Sequence, residues 1–350
     1  MSVLELYRRR LDAWEARLAS RDTNRVVRPF DWGLEWSRDW PVSAHVARDG
    51  CDPGATLCRL GEDATQESEQ FFSYQTPTDF QLTGNTLRFT SAVSTPCAEN
   101  NTVSALLFPA PGTSRSAVVV LPQWNSTLPQ YVALCRLIRL MGISALRLSL
   151  PYHDARMPPE LERADYAVSA NVARTVDATR QAVIDARSCL DWLEACGYRK
   201  FGIVGTSLGS CYAFLTSAHD ARLEVNVYNL FSLYFADVVW NGLTTRHVRQ
   251  GMDGRIELDQ LQQAWKPITP QSYLDRYARQ PKKSLFIHTA YDTTFLPEYS
   301  EPMLEELRRR GAHLEDVRLP CGHYTLGQPP FQFLDGYHIC TFLARGLGTL

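Results

Sequence analysis

Phe201-Gly202-Ile203-Val204-Gly205-Thr206-Ser207-Leu208-Gly209 is the stretch that decides how this chain is read. A short apolar run ends in Gly-x-Ser-x-Gly, and Leu208, Tyr212 and Leu215 then recur at helical spacing. The pattern predicts a buried strand that reverses into a helix within two residues. Such a turn forces its middle residue into a strained backbone conformation, and glycine at 205 and 209 removes the side chains that would collide there. Ser207 is therefore expected at the sheet edge, beside the N–H groups that open the helix. The plainer alternative is a serine capping a helix after a glycine turn.

A lone serine hydroxyl is a weak nucleophile at neutral pH; it needs a base, and the base needs an orienting acid. Lys283 to Ala290 reads as a second strand, and Asp292 falls just past its C-terminal end. A helical stretch near 298–310 leads to a third strand, Leu314 to Leu319. That strand runs into Pro320-Cys321-Gly322-His323-Tyr324, a loop that presents His323. Ser207, Asp292 and His323 thus follow three strand ends in the order nucleophile, acid, base. Asp237, past a strand expected at 225–230, is the fallback acid; Asp292 is preferred for its place at a strand end.

At these residues the chain resembles the serine α/β-hydrolases. The resemblance rests on Gly-Thr-Ser-Leu-Gly, on Asp292 followed by Pro297, and on Gly322-His323, and it spans roughly residues 85–345. Within that superfamily the chain is similar to the carboxylesterase and dienelactone-hydrolase-like branch, and to the abhydrolase domain-containing group numbered 18. A dienelactone hydrolase would carry cysteine where this chain has Ser207, so that family's substrate is not carried over. The resemblance implies an α/β fold, a mostly parallel doubly wound sheet with helices on both faces. It also implies hydrolysis of a small-molecule carboxylic ester through an acyl-enzyme on Ser207, with no cofactor. An acyltransferase using the same acyl-enzyme, and a non-catalytic ligand-binding protein on this fold, are the two alternatives.

A tetrahedral intermediate needs backbone donors aimed at its oxyanion. The residue after the nucleophile supplies one, here Leu208. The other is expected in the loop Leu121-Pro122-Gln123-Trp124-Asn125; Pro122 has no N–H, so the donor is Gln123 or Trp124, with Trp124 favoured. Many relatives carry His-Gly in this loop, which is absent here. The Trp124 ring either walls the pocket or packs. His153, after the strand expected at 143–150, either contacts substrate or pairs with Asp154 to hold a loop. Residues 231–280 are rich in bulky side chains, and in this fold an insertion there commonly caps the nucleophile. The resemblance therefore implies a helical lid, with Tyr234, Trp240 and Trp265 as pocket walls.

The remaining elements alternate. Residues 71–108 read as antiparallel strands, with Thr83-Gly84-Asn85 as a turn. Ala117 to Leu121 is a continuous apolar run suited to a strand buried on both faces. A helix is expected near 129–141 and another over 168–196, stopped by Gly197. Residues 1–70 form a helical extension ahead of the domain at 71–350. In it Leu4, Tyr7, Leu11, Trp14 and Leu18 make a stripe about two heptads long, which either packs on its own domain or pairs two copies into a homo-oligomer.

Composition sets the outer bounds. The 350 residues carry 36 Lys and Arg against 38 Asp and Glu, so nothing supports a nucleic-acid footprint. No apolar stretch approaches the ~20 residues of a membrane span. The start of the chain is charged and lacks the apolar centre of a secretory signal, and nine scattered cysteines have no framework spacing. A cytoplasmic protein is the reading these features support. Cys321 and His323, or His338 and Cys340, lack the further ligands of a zinc site, and no glycine-rich nucleotide loop is present.

Overall fold

The computed structural model describes residues 2–42 and 52–348. Nine strands form one sheet: β1 (Gln81–Thr83), β2 (Thr86–Thr90), β3 (Thr102–Phe108), β4 (Ser116–Leu121), β5 (Ser144–Leu148), β6 (Lys200–Thr206), β7 (Leu223–Asn229), β8 (Lys283–Thr289) and β9 (His313–Leu319). Their spatial order is β1-β2-β3-β5-β4-β6-β7-β8-β9. The first three strands and their junction with β5 are antiparallel, and from β5 to β9 every pairing is parallel. Gly84, at φ 62, closes the β1–β2 hairpin, where a side chain would be strained.

All of β4 is buried, as its unbroken apolar run requires of a central parallel strand. Its alternation divides the core between the two faces of the sheet. Ala117, Val119 and Leu121 join the larger cluster, together with the helices Val172–Ala195 and Leu208–Ala218. Val118 and Val120 join the smaller one, with the helices Val132–Leu140 and Phe331–Gly346. The helix Val172–Ala195 starts on Asn171, whose side chain accepts the Arg174 N–H, and stops before Gly197 at φ 95. These are the layers of a doubly wound α/β protein. Because the sheet is parallel from β5 to β9, the loops that follow β4, β5, β6, β8 and β9 all open at one edge.

The segment between β7 and β8 holds four short α-helices, Phe235–Asn241, Arg246–Met252, Leu258–Ala264 and Leu274–Ala278, and two 3-10 turns, Lys266–Ile268 and Pro270–Tyr273. Trp265 differs from its expected place as a pocket wall. It is 0% exposed, its Nε1 donates to the Val172 carbonyl at 3.0 Å, and its ring meets Phe235 edge-on. These contacts fasten the segment to the main domain, because a buried indole must both fill volume and satisfy its N–H. Trp265→Ala is accordingly expected to reduce stability by about 3–5 kcal/mol, as read from denaturant unfolding. A change under about 0.5 kcal/mol, the size of an ordinary surface substitution, would mean the indole is not part of the core.

The N-terminal helix Val3–Ala19 opens with a capping box between Ser2 and Glu5. Its apolar stripe is spent mostly on its own chain: Leu11 and Leu18 are buried, Trp14 packs on the smaller core cluster, and Leu4 alone of the stripe is left 68% exposed. Further on, Trp40 donates to Asp177 at 3.1 Å and the Arg174 guanidinium lies over Trp36, so this extension is packed against the helix Val172–Ala195. Among the described residues, no helix is long and apolar enough to cross a membrane.

Candidate active site

Ser207 occupies the tip of the strand-to-helix reversal between β6 and the helix Leu208–Ala218, at φ 55 and ψ −120. Few residues other than glycine adopt that conformation, and it persists only where the surroundings hold it. Here they do. The Ser207 N–H donates to Asn229 at 2.8 Å, tying the turn to β7, and Ser210 Oγ closes it by donating to the Ser207 carbonyl at 2.6 Å. A Cβ on Gly205 would lie 2.2 Å from the Gly209 carbonyl oxygen. One on Gly209 would lie 2.3 Å from the oxygen of Leu121 and 2.4 Å from that of Pro122. Both glycines are therefore required by close approach, and Gly209 brings the helix start directly against the loop after β4.

Ser207 Oγ lies 3.3 Å from His323 Nε2, and His323 Nδ1 lies 3.1 and 3.2 Å from the two oxygens of Asp292. Asp292 is itself fixed by three donors. Its Oδ1 accepts the N–H groups of Thr294 at 2.8 Å and Phe295 at 2.7 Å, and its Oδ2 accepts Thr289 Oγ1 at 3.1 Å. The Phe295 ring lies flat against the imidazole, at 5.5 Å and 2°. Burial works against a charged His323, but the Asp292 carboxylate and its hydrogen bond outweigh burial and hold the pKa above the ordinary imidazole value. This arrangement can take a proton from a hydroxyl and stabilise the imidazolium that results.

The loop after β4 is shaped by the residues of the β5 loop. His153 is buried; its Nδ1 lies 2.8 Å from the Pro151 carbonyl and its Nε2 accepts the Asn125 N–H at 2.9 Å. Both ring nitrogens are thus committed to backbone, and burial pushes the ring down to about 4. The expected pairing with Asp154 does not form. Asp154 instead accepts from Arg147 at 3.0 Å and Ser149 at 2.7 Å, so the two residues hold the loop separately. The Gln123 side chain accepts the Tyr131 hydroxyl at 3.0 Å, while burial drives that hydroxyl's pKa up against the Thr206 hydroxyl and the Gln123 N–H, which favour its ionised form. Neither the Gln123 N–H nor the Trp124 N–H donates a hydrogen bond to a described residue, so both stay candidates for the second oxyanion donor.

The Trp124 side chain is a packed one. Its Nε1 donates to the Ala164 carbonyl at 2.9 Å, and its ring has the Arg163 guanidinium over it at 5.5 Å and the parallel His247 ring at 5.6 Å. Of the other expected pocket walls, Trp240 lies under the Arg249 guanidinium at 3.5 Å, and Tyr234 meets Tyr299. Asp237 accepts both its close contacts from Gln262, at 3.0 and 3.1 Å, and does not reach His323. Sequence reasoning missed the donors to Asp292, although an Asp bonding N–H groups two and three residues ahead is a known turn signal. It also missed the contacts of the N-terminal helix with the His323 loop, which no local pattern announces. Among the described residues, no three His, Cys, Asp or Glu side chains gather as a metal site.

No family model matches the chain, and no curated protein matches it. Solved structures do. Acetyl xylan esterase 1 from Thermoanaerobacterium sp. is similar with a TM-score of 0.60 at 12% identity, over 90% of this chain and 99% of that one. An acylaminoacyl peptidase from Pyrococcus horikoshii gives 0.56 at 12% identity over 76% of this chain, which spans only 42% of the peptidase's length. An esterase from Pyrococcus furiosus gives 0.52 at 15% identity, over 79% and 93% of the two chains. Identities this low speak to architecture alone. With its strand order, its strained serine turn and these neighbours, the chain has the α/β-hydrolase fold.

Proposed function

We propose that the protein is a serine hydrolase that cleaves carboxylic esters of small molecules. The observation that carries this reading is the unbroken series Ser207 Oγ, His323 Nε2, His323 Nδ1, Asp292, with the serine held at a strained turn. Ser207 Oγ attacks the ester carbonyl as His323 Nε2 takes its proton, and Asp292 fixes the tautomer and balances the imidazolium. The N–H groups of Leu208 and Trp124 receive the oxyanion. Their support is the contact of Gly209 with Leu121 and Pro122, which sets the helix start beside that loop. His323 returns the proton to the departing alcohol, and water releases the acyl group by the same steps in reverse roles. The segment 231–280 serves as a cap. A cap accords with Ser207 being only 8% exposed, and favours short acyl groups over long ones.

The test is turnover of short-chain p-nitrophenyl esters as a function of pH. The base works only when neutral, and the Asp292 carboxylate raises the His323 pKa in spite of burial. Activity is therefore absent well below that pKa and rises through it, so kcat/KM should climb to a plateau with a midpoint above about 6.5. A midpoint at or below 6, or a flat profile from pH 5 to 9 with chemistry rate-limiting, would remove His323 from the role of base. Rate gain on adding alcohol acceptors, at the expense of free acid, would indicate acyl transfer instead.

A further inference from the structure

The loop that presents His323 is braced from the far end of the chain. The Tyr7 hydroxyl donates to the Pro320 carbonyl. Glu15 Oε2 accepts the Tyr324 N–H at 3.0 Å, and Glu15 Oε1 accepts the Thr325 N–H at 2.6 Å. Within the loop, Thr325 Oγ1 accepts the Gly322 N–H at 2.8 Å. Glu15 is 1% exposed, and among the described residues no Lys or Arg forms an ion pair with it. A carboxylate in such a place is costly unless charge-assisted hydrogen bonds replace its water. An alanine or leucine would serve helix packing without that penalty. The loop is fitted to this carboxylate: a Cβ on Gly322 would lie 2.5 Å from Glu15 Cδ.

We propose that Glu15 is a positioning residue for His323. It clamps the two N–H groups that follow the imidazole, and its negative charge favours the imidazolium formed when Ser207 gives up its proton. The inference rests on the hydrolase reading above. The groups that face the ring are Asp292 from the β8 loop, Ser207 from the elbow, and the rings of Phe295 and Tyr324. Beyond Tyr324, Arg25 donates to its hydroxyl at 2.6 Å and pairs with Asp22 at 2.9 Å. Behind the loop, burial raises the Cys321 thiol pKa, and the carboxyl groups of Glu15, Asp335 and Asp292 raise it further. Burial pulls the His323 pKa down; Asp292 and then Glu15 pull it up, and they prevail.

Glu15→Gln in the full chain tests this. The amide keeps the size of the side chain but loses the charge and turns an NH2 toward one of the two N–H donors. Measured on p-nitrophenyl acetate from pH 5 to 9, kcat is expected to fall about 10- to 100-fold with KM nearly unchanged, and the midpoint of kcat/KM to move to lower pH. Gly322→Ala attacks the same contact from the loop side while leaving the charge in place. It should lower kcat similarly with a smaller movement of the midpoint. A folded Glu15→Gln protein with unchanged kcat, or with lowered kcat and an unmoved midpoint, overturns the role. So does failure of both variants to fold, which would make Glu15 a folding residue only. A wild-type protein that neither turns over ester nor reacts with a fluorophosphonate at Ser207 overturns the hydrolase reading itself, whereas wild-type activity with an indifferent Glu15→Gln overturns this inference alone.

Discussion

Ser207→Ala is expected to lower ester hydrolysis by about 10⁴–10⁶ and to abolish labelling by a fluorophosphonate probe. The size of the loss follows from the site's construction. Ser207 holds φ 55 and ψ −120 because the backbone around it leaves no other path, and its hydroxyl is the atom His323 Nε2 reaches. Alanine tolerates the strained turn no worse than serine, so the fold should survive and the loss should fall on chemistry alone. Mass spectrometry of the labelled wild-type protein should place the adduct on the peptide containing Ser207. Hydrolysis that persists in the folded variant would assign the reaction to another group.

Asp292→Asn is expected to lower kcat by roughly 10²–10⁴ with little loss of stability. Oδ1 accepts two backbone N–H groups, from Thr294 and Phe295, so an asparagine will place its oxygen there and its NH2 toward Thr289 and His323. An NH2 facing Nδ1 requires that nitrogen to accept, which puts the ring proton on Nε2, where it faces Ser207 and cannot receive the serine proton. The loss should therefore appear in kcat and not in KM. Asp237→Asn, whose carboxylate among the described residues accepts side-chain hydrogen bonds only from Gln262, should change kcat by less than about twofold, the scale of a surface substitution. If the two effects were exchanged, the base would be oriented from the insertion and the geometry at Asp292 would have no catalytic meaning.

The parts of this molecule legible in the sequence are those whose cause is local. Ala117 to Leu121 reads as a central strand because its residues are apolar without alternation, and β4 is buried along its whole length. Gly205 and Gly209 read as steric necessities, and the distances at each confirm a need for glycine. Ser207, Asp292 and His323 were each placed by a strand end, and the structure brings them within hydrogen-bonding reach. What could not be read were side chains whose partners lie far off in sequence. An aromatic-rich insertion looks the same whether its tryptophans face a pocket or anchor it, and Trp265 anchors it through Val172. His153 beside Asp154 suggested a pair, but each found a nearer claimant in Asn125 and Arg147. Glu15 was one charge among many on a charged helix.

The contact between Glu15 and Thr325 joins residues 310 positions apart. A ribosome adding about 5–20 residues per second makes the helix roughly 15–60 s before it makes the loop. For that interval Glu15, which the folded protein buries, has neither of the N–H partners that residues 324 and 325 supply. On the hydrolase reading proposed above, a nascent chain that has not yet reached residue 325 would carry Ser207 without the braced histidine that activates it.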